Sequence, residues 1–332
     1  MEVLTNQSLL PYNTFRMDVP AKVLAHYHSI DELRQLLAEY RGMPILHVGQ
    51  GSNILFTRDY DGVVLISHLN RARALAENGD EVYIEADNGL VLDELIEQVC
   101  DMGLGGLENL SHIPGTVGAS AIQNVGAYGV EAKDCIVEVH TIEIATGQER
   151  VFANRDCRYG YRDSIFKHEA AGKYIVTSVV YKLEKHGELH LDYGNLRDSI
   201  QGTPTLRKVR DAVIAIRRAK LPEVSEMGSA GSFFKNPIIG EQQFRSLQQQ
   251  YPDIPHYPAT GGVKVPAAWL IDHCGLKGER VGGAEVYTRQ PLVLVNASGH
   301  ATGQDVVALA QRVEDRVKDK FGVQISPEVI IL

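Results

Sequence analysis

Short apolar runs alternate with helical periodicity over the first part of the chain. Ala21 to Tyr27 reads as a strand, and Ser29-Ile-Asp-Glu32 has the form of a capping box opening a helix through about Tyr40. Pro44 to Val48 is the next strand, and this βαβ unit runs into the turn Gly49-Gln-Gly-Ser-Asn53. The chain leaves that turn as Ile54-Leu-Phe56 and, past Asp61-Gly62, as Val63-Val-Leu-Ile66, so a strand and not a helix follows the glycines. Glu81 to Ala86 then reads as a strand and Val91 to Met102 as a helix, before a stretch of small residues, Gly103 to Gly129, in which loop chemistry dominates. Cys135 to Ala153 alternates with period two on both sides of Ala145-Thr-Gly147, the pattern of a hairpin. Beyond Lys220, helices are expected around Gln242 to Gln250, Pro266 to Cys274 and Asp305 to Phe321, with a β-like tail from Pro327 to Leu332.

Composition narrows the function classes. A chain of 332 residues, 44% hydrophobic and 23% charged, can fill two or three modest cores. Its formal net charge of −9 argues against general nucleic-acid binding, which needs a basic face to replace counterions. A small anion needs only a local basic pocket, and Arg207 to Lys220 supplies six cations in an otherwise acidic protein. The four cysteines are scattered without CxxC pairing, so reduced thiols are expected and no metal site is proposed. His112 and His273 are single histidines without ligand spacing. The N-terminus lacks the form of a signal peptide and no apolar run reaches membrane-spanning length, so a cytoplasmic protein with no membrane partner is expected.

Two glycine-rich segments carry the chemistry. Gly49-Gln-Gly51 sits where a dinucleotide-binding turn would, but the third glycine of that fingerprint falls at Ile54 and no helix follows to hold a pyrophosphate. Gly103-x-Gly105 fails similarly, with Glu108 in third place. What remains is either an ordinary tight turn or one whose backbone N–H groups meet an anion, helped by Ser52 and Asn53. In the second segment, Ile113 to Gly129, twelve of seventeen residues are Gly, Ala, Ser, Thr, Asn, Gln or Pro. So few bulky side chains leave little to build a core, and a large flat body such as a flavin, lying against the backbone, accounts for the composition. A flexible surface loop is the alternative, and the interspersed Ile113, Val117 and Ile122 count against it.

Together these residues resemble the UDP-N-acetylenolpyruvoylglucosamine reductase family over nearly the whole chain. The motifs are Asn13-Thr-Phe15, Gly49-x-Gly-Ser-Asn53, Ile113-Pro-Gly-Thr116, Gln123-Asn-x-Gly-Ala-Tyr-Gly129, Tyr161-Arg-Asp-Ser164, Gly231-Ser-Phe-Phe-Lys-Asn-Pro237, Ala268-Trp-Leu-Ile-Asp272 and Pro327-Glu-Val329. Leu191-Asp-Tyr-Gly194 and the Tyr257 to Val265 insertion match the longer of the family's two forms. The resemblance implies an α+β protein: an FAD-binding fold of the vanillyl-alcohol-oxidase-like type in two subdomains, residues 1–70 with 323–332 and residues 71–217, plus a third, α+β substrate-binding domain, residues 218–322. It further implies that a hydride from NADPH reaches the enol ether of UDP-N-acetylglucosamine enolpyruvate by way of non-covalently bound FAD. A monomer is expected.

Residue roles follow from the same resemblance. Arg162 would stabilise the charge that develops beside the substrate carboxylate, Ser232 would deliver the proton, and the Glu328 carboxyl would help hold the intermediate. Cofactor contacts fall on Gly49, Gly51, Ser52, Asn53, Ile113, Pro114, Gly115, Thr116, Gln123, Asn124, Gly126, Ala127, Tyr128, Gly129 and Arg217. Tyr193, on a mobile loop, together with Lys220 and Asn236, would bind the UDP-sugar. Ile330 departs from the pattern, since some relatives carry an arginine there. From the residues alone, Arg162 reads first as the ion-pair partner of Asp163 or a nearby acid, and Val329 to Leu332 as a buried strand that fixes Glu328.

Overall fold

A computed structural model describes all residues, 1–332. The chain divides into two compact units, the first made of residues 1–7, 20–50 and 60–219, the second of residues 8–19, 51–59 and 220–332.

The first unit holds two sheets. In one, the strands run in the order Glu2–Ser8, Pro20–Tyr27, Tyr60–Ser67, Ile45–Val48, and the last three are parallel, with Val23 and Ile45 both opposite Val63. Helix α1, Ile30–Glu39, crosses over between them and buries Leu33, Leu36 and Leu37. The hydroxyl of Ser29 accepts from the Glu32 amide as expected, but the Glu32 carboxylate reaches one residue further, to the His28 N–H at 2.7 Å. The other sheet is antiparallel, in the order Glu149–Ala153, Ile136–Glu143, Tyr174–Glu184, Glu81–Asp87, Ala72–Asn78. Against it pack helices α2, Leu92–Asp101, and α3, Val117–Gln123. Tyr174–Glu184, near the sheet's centre, is buried along most of its length and so carries no alternation to mark it in the sequence.

Helix α3 corrects the reading of Gly103 to Gly129 as a stretch dominated by loop, while Val117 is buried as its apolar character implied. Val117, Gly118, Ser120 and Ala121 are buried, and a Cβ on Gly118 would come within 2.9 Å of the Asn88 Cβ. Part of the small-residue bias therefore serves close helix-to-sheet packing. Asn88 itself is fully buried and ties the two sheets: its Nδ2 donates to Tyr27 Oη at 2.9 Å and to Val176 O at 2.6 Å, while its Oδ1 accepts from Ser67 at 2.7 Å. Tyr27 Oη lies 2.9 Å from His47 Nε2. Burial pushes the Tyr27 phenol up to about 12 and the His47 imidazole down to about 4, so at neutral pH both are uncharged and one proton is shared between the phenol oxygen and the ring nitrogen. Helix α4, Leu206–Lys220, buries Val209, Ala212, Val213 and Ile216 against Leu191 and Leu196, leaving most of its cations on the outer face.

The second unit is built on an antiparallel sheet in the order Gly228–Ser232, Val293–Asn296, Ala284–Val286, Arg280–Val281. A three-stranded sheet, Ile238–Ile239, Gly262–Lys264, Tyr257–Ala259, lies beside helices α5, Glu241–Gln250, and α6, Ala267–His273. Helix α7, Gly303–Phe321, buries Val306, Leu309, Val313 and Val317. Its boundaries are written in the chain: Thr302 and Asp305 form a reciprocal capping box, and Gly322 closes the helix in the left-handed conformation at φ 64°. Asn13 pins the segment around it, donating to Leu9 O and Met17 O and accepting from the Met17 N–H, and Phe15 is buried edge-on against Phe233. The chain's last strand, Ile330–Ile331, pairs in parallel with Ile54–Leu55. Only Val329 of that tail is fully buried. Ile330 and Ile331 are exposed, because a two-stranded pair offers its outer side nothing to pack against.

Candidate active site

In the second unit, residues far apart in sequence converge on one set of extended segments. Gly228–Ser232 is interrupted by a register shift between Ser229 and Ser232, where Gly231 takes φ 67°. A left-handed glycine at such a bulge re-aims the residue that follows it. Ser232 is exposed, while Phe233 and Phe234 immediately after it are buried and hold the strand end in place. The Glu328 amide donates to Phe233 O at 2.7 Å, and Pro327 bridges Phe234, so half-buried Glu328 lies on the segment paired beside Ser232. Asn53 joins the same set: its carbonyl accepts from the Ile330 N–H at 3.0 Å and its Nδ2 donates to Glu328 O at 3.4 Å. Asn236 Oδ1 caps the start of α6, accepting from the Ala267 N–H at 2.9 Å. Lys220 stands exposed at the end of α4.

In the first unit the two glycine segments meet. The Gly115 amide donates to Gln50 Oε1 at 2.7 Å, and a Cβ on Gly49 would lie 2.5 Å from Thr116 Oγ1. Farther along, Asn124 is buried in the left-handed conformation and donates to Gly160 O at 2.8 Å. Lys167 Nζ reaches Gln123 Oε1 at 2.8 Å and Arg162 O at 2.9 Å. The guanidinium of Arg162 donates to Gly126 O at 2.6 Å, on a residue that is itself left-handed at φ 53°. Asp163 pairs instead with His168, at 2.8 Å. Ala127 lies half-buried in a short pairing of Gly126–Ala127 with Val130–Glu131, and Gly129 is exposed between them. Tyr193 is 52% exposed and meets the Tyr128 ring edge-on, with centroids 6.0 Å apart. Burial raises the Tyr128 phenol, opposed by the nearby Arg217 charge.

Sequence reading missed what fixes the entry to Ile113–Gly129. His112, at φ 59°, precedes half-buried Ile113 and Pro114, and both of its main-chain groups are held. Its carbonyl accepts from Arg217 Nε at 3.0 Å, and its N–H donates to Asp93 Oδ1 at 2.7 Å. Asp93 is clasped in turn by Arg210, a 5%-exposed cation on α4, through two guanidinium nitrogens. Although burial works against it, Arg210 and the His112 amide keep the Asp93 carboxyl below its ordinary range. Arg210 was visible only as one of six cations, and its partner lies too far along the chain for spacing to reveal.

Residues 21–152 match the model described as FAD binding domain, and residues 223–332 match UDP-N-acetylenolpyruvoylglucosamine reductase, C-terminal domain. The fold resembles the crystal structure of UDP-N-acetylenolpyruvylglucosamine reductase from Thermus caldophilus, with TM-score 0.70 and 24% identity over 99% of this chain and 98% of that one. The protein is thus an FAD-containing oxidoreductase of α+β fold. Proteins named UDP-N-acetylenolpyruvoylglucosamine reductase from Chromobacterium violaceum and Bacteroides fragilis are each 48% identical to it, over 98% and 97% of this chain and 97% and 98% of theirs. The Pseudomonas aeruginosa protein of the same name is 44% identical over 99% of this chain and 98% of its own length. The chain belongs to the UDP-N-acetylenolpyruvoylglucosamine reductase family.

The residues present fit FAD. The consecutive main-chain N–H groups of Gln50 and buried Gly51 donate to no acceptor in the protein, which leaves two fixed donors suited to a diphosphate. Gly51 cannot be replaced cheaply: it takes φ 62°, and a Cβ there would fall 2.1 Å from Tyr12 O. Gly51→Ala is expected to cut the flavin copurifying per chain severalfold, read from visible absorbance against protein. Gly79→Ala, at φ 64° with nothing within 4 Å, is the control and should cost only about 1 kcal/mol without loss of flavin.

Proposed function

We propose that this member carries out the reduction of UDP-N-acetylglucosamine enolpyruvate to UDP-N-acetylmuramate in peptidoglycan precursor synthesis, with NADPH as reductant and FAD held non-covalently. The balance is one hydride to the terminal vinyl carbon and one proton to the carbon bearing the carboxylate, so that NADPH and a proton are consumed and NADP is released. FAD, when bound, supplies the site that accepts the hydride and gives it up again. The observation that supports the reading is the pairing of the Glu328 amide with Phe233 O, which brings the backbone of Glu328 beside the residue that follows Ser232.

Hydride addition at the vinyl carbon moves negative charge onto the substrate's carboxylate side as an enediolate. Arg162 meets that charge with a guanidinium that keeps its proton throughout. The Ser232 hydroxyl gives its proton to the adjacent carbon, and the Glu328 carboxyl holds the intermediate. Gly49, Gly51, Ser52 and Asn53, the segment Ile113 to Gly129, and Arg217 hold the cofactor, while Tyr193, Lys220 and Asn236 bind the UDP-sugar. Residues 1–70 with 323–332 and 71–217 form the cofactor-binding part, and residues 218–322 the substrate-binding part. A cytoplasmic monomer suits a soluble nucleotide-sugar substrate, and no helix is long and apolar enough to cross a membrane.

The test is anaerobic. NADPH is expected to bleach the flavin absorbance, and the enolpyruvyl substrate to restore it promptly. Bleaching that recovers only on admitting oxygen would overturn the substrate assignment.

A further inference from the structure

Asn109 sits on the turn Glu108–Leu110, fully buried. Its Nδ2 donates to two main-chain carbonyls, Tyr128 O and His190 O, each at 2.8 Å. Its Oδ1 is buried with no hydrogen-bond partner. An orphaned buried acceptor costs stability, so something at this position must offset it. The offset lies in the two donations: a primary carboxamide carries two hydrogens on one nitrogen, spread in a plane, and can join two carbonyls that have no other reason to be near each other.

The two carbonyls belong to different parts of the site. Tyr128, left-handed at φ 49°, closes the glycine-rich cofactor segment. His190 begins the stretch that carries Tyr193, followed at once by Leu191, which is buried against Val209, Val213 and Ile216 of α4. Tyr128 packs on that same apolar cluster, and its ring faces Tyr193. The root of the tyrosine loop is therefore fastened twice, by an apolar anchor at Leu191 and by a polar one at Asn109.

We propose that Asn109 is a positioning residue that locks the root of the Tyr193 loop to the end of the cofactor segment, so that Tyr193 meets the substrate from a fixed base. This rests on the reading of Tyr193 as a substrate-closing residue. The restraint itself can be tested apart from that reading.

In Asn109→Ala, amide hydrogen exchange of residues 190–196 in the FAD-loaded enzyme is expected to speed up about tenfold or more, while that of α4 stays within about twofold. With it, KM for the enolpyruvyl substrate should rise about tenfold, flavin content and NADPH-driven bleaching staying near wild type. Adding Tyr193→Ala to Asn109→Ala should raise KM no further than Tyr193→Ala alone, because one residue acts through the other. Unchanged exchange at 190–196 overturns the proposal whatever the kinetics, and so do additive KM effects. Faster exchange with KM unaltered in both Asn109→Ala and Tyr193→Ala upholds the restraint and overturns the substrate role of Tyr193. Should Asn109→Ala not fold, Asn109→Ser, which keeps a shorter single donor, is read by the same exchange experiment.

Discussion

Ser232→Ala is expected to leave NADPH-driven bleaching of the flavin within about twofold of wild type, while slowing its reoxidation by the enolpyruvyl substrate by about two to four orders of magnitude. The first half rests on position. Ser232 stands exposed at the end of its strand and donates to no group of the protein, so removing its oxygen disturbs no fold contact. The second half rests on chemistry: the carbanionic carbon must take a proton from a fixed donor, and a serine, a weak acid, serves only an intermediate basic enough to pull it. Gly231 and the buried Phe233 and Phe234 fix where that hydroxyl starts, so water should not replace it readily. Stopped-flow absorbance under anaerobic conditions separates the two halves. Equal slowing of both would remove Ser232 from proton delivery.

Much of this was legible in the sequence because it is encoded locally. The Ser29 cap and the hairpin about Ala145 to Gly147 each depend on residues within a few positions of one another. What stayed hidden depends on distant partners or lacks periodicity. The strand Tyr174–Glu184 is buried on both faces, Ala72–Asn78 is exposed on both, and neither alternates. Helix α3 was hidden by its own small residues, whose value is a close approach to Asn88 that only the folded sheet reveals. The site divides in the same way. The glycine turns are visible as local patterns that read equally as ordinary turns, and Ser232 stands out only through the family resemblance of its motif, whereas the Glu328 pairing to Phe233, the Gln50 link to Gly115 and the double donation from Asn109 join residues that no short pattern connects.

Arg210→Met should be the most damaging change away from the reacting groups, costing about 3–5 kcal/mol, because it leaves the Asp93 carboxylate partly buried without its cation. Thermal unfolding of the FAD-loaded protein measures it. Methionine fills similar volume, so the loss comes from charge and not from a cavity, and Arg210→Met with Asp93→Leu should regain much of it by removing the stranded anion. Acidity gives an independent check. With its folded value held below the ordinary carboxylate range, Asp93 contributes stability that is present above the unfolded value, near about 4, and is lost as pH falls through the folded value. Part of the wild-type acid destabilisation should therefore be missing from the doubly substituted protein. The consequence for the cofactor follows from His112, whose N–H is held by Asp93 and whose carbonyl is held by Arg217, about two turns beyond Arg210 on the same face of α4. Arg210→Met should also weaken FAD retention, since the residue leading into Ile113 and Pro114 loses one of its two tethers. A lowered melting temperature with FAD affinity unaltered would mean that Arg217 alone holds the entry to the cofactor segment, and that the Arg210–Asp93 pair serves only to fasten α4 to α2.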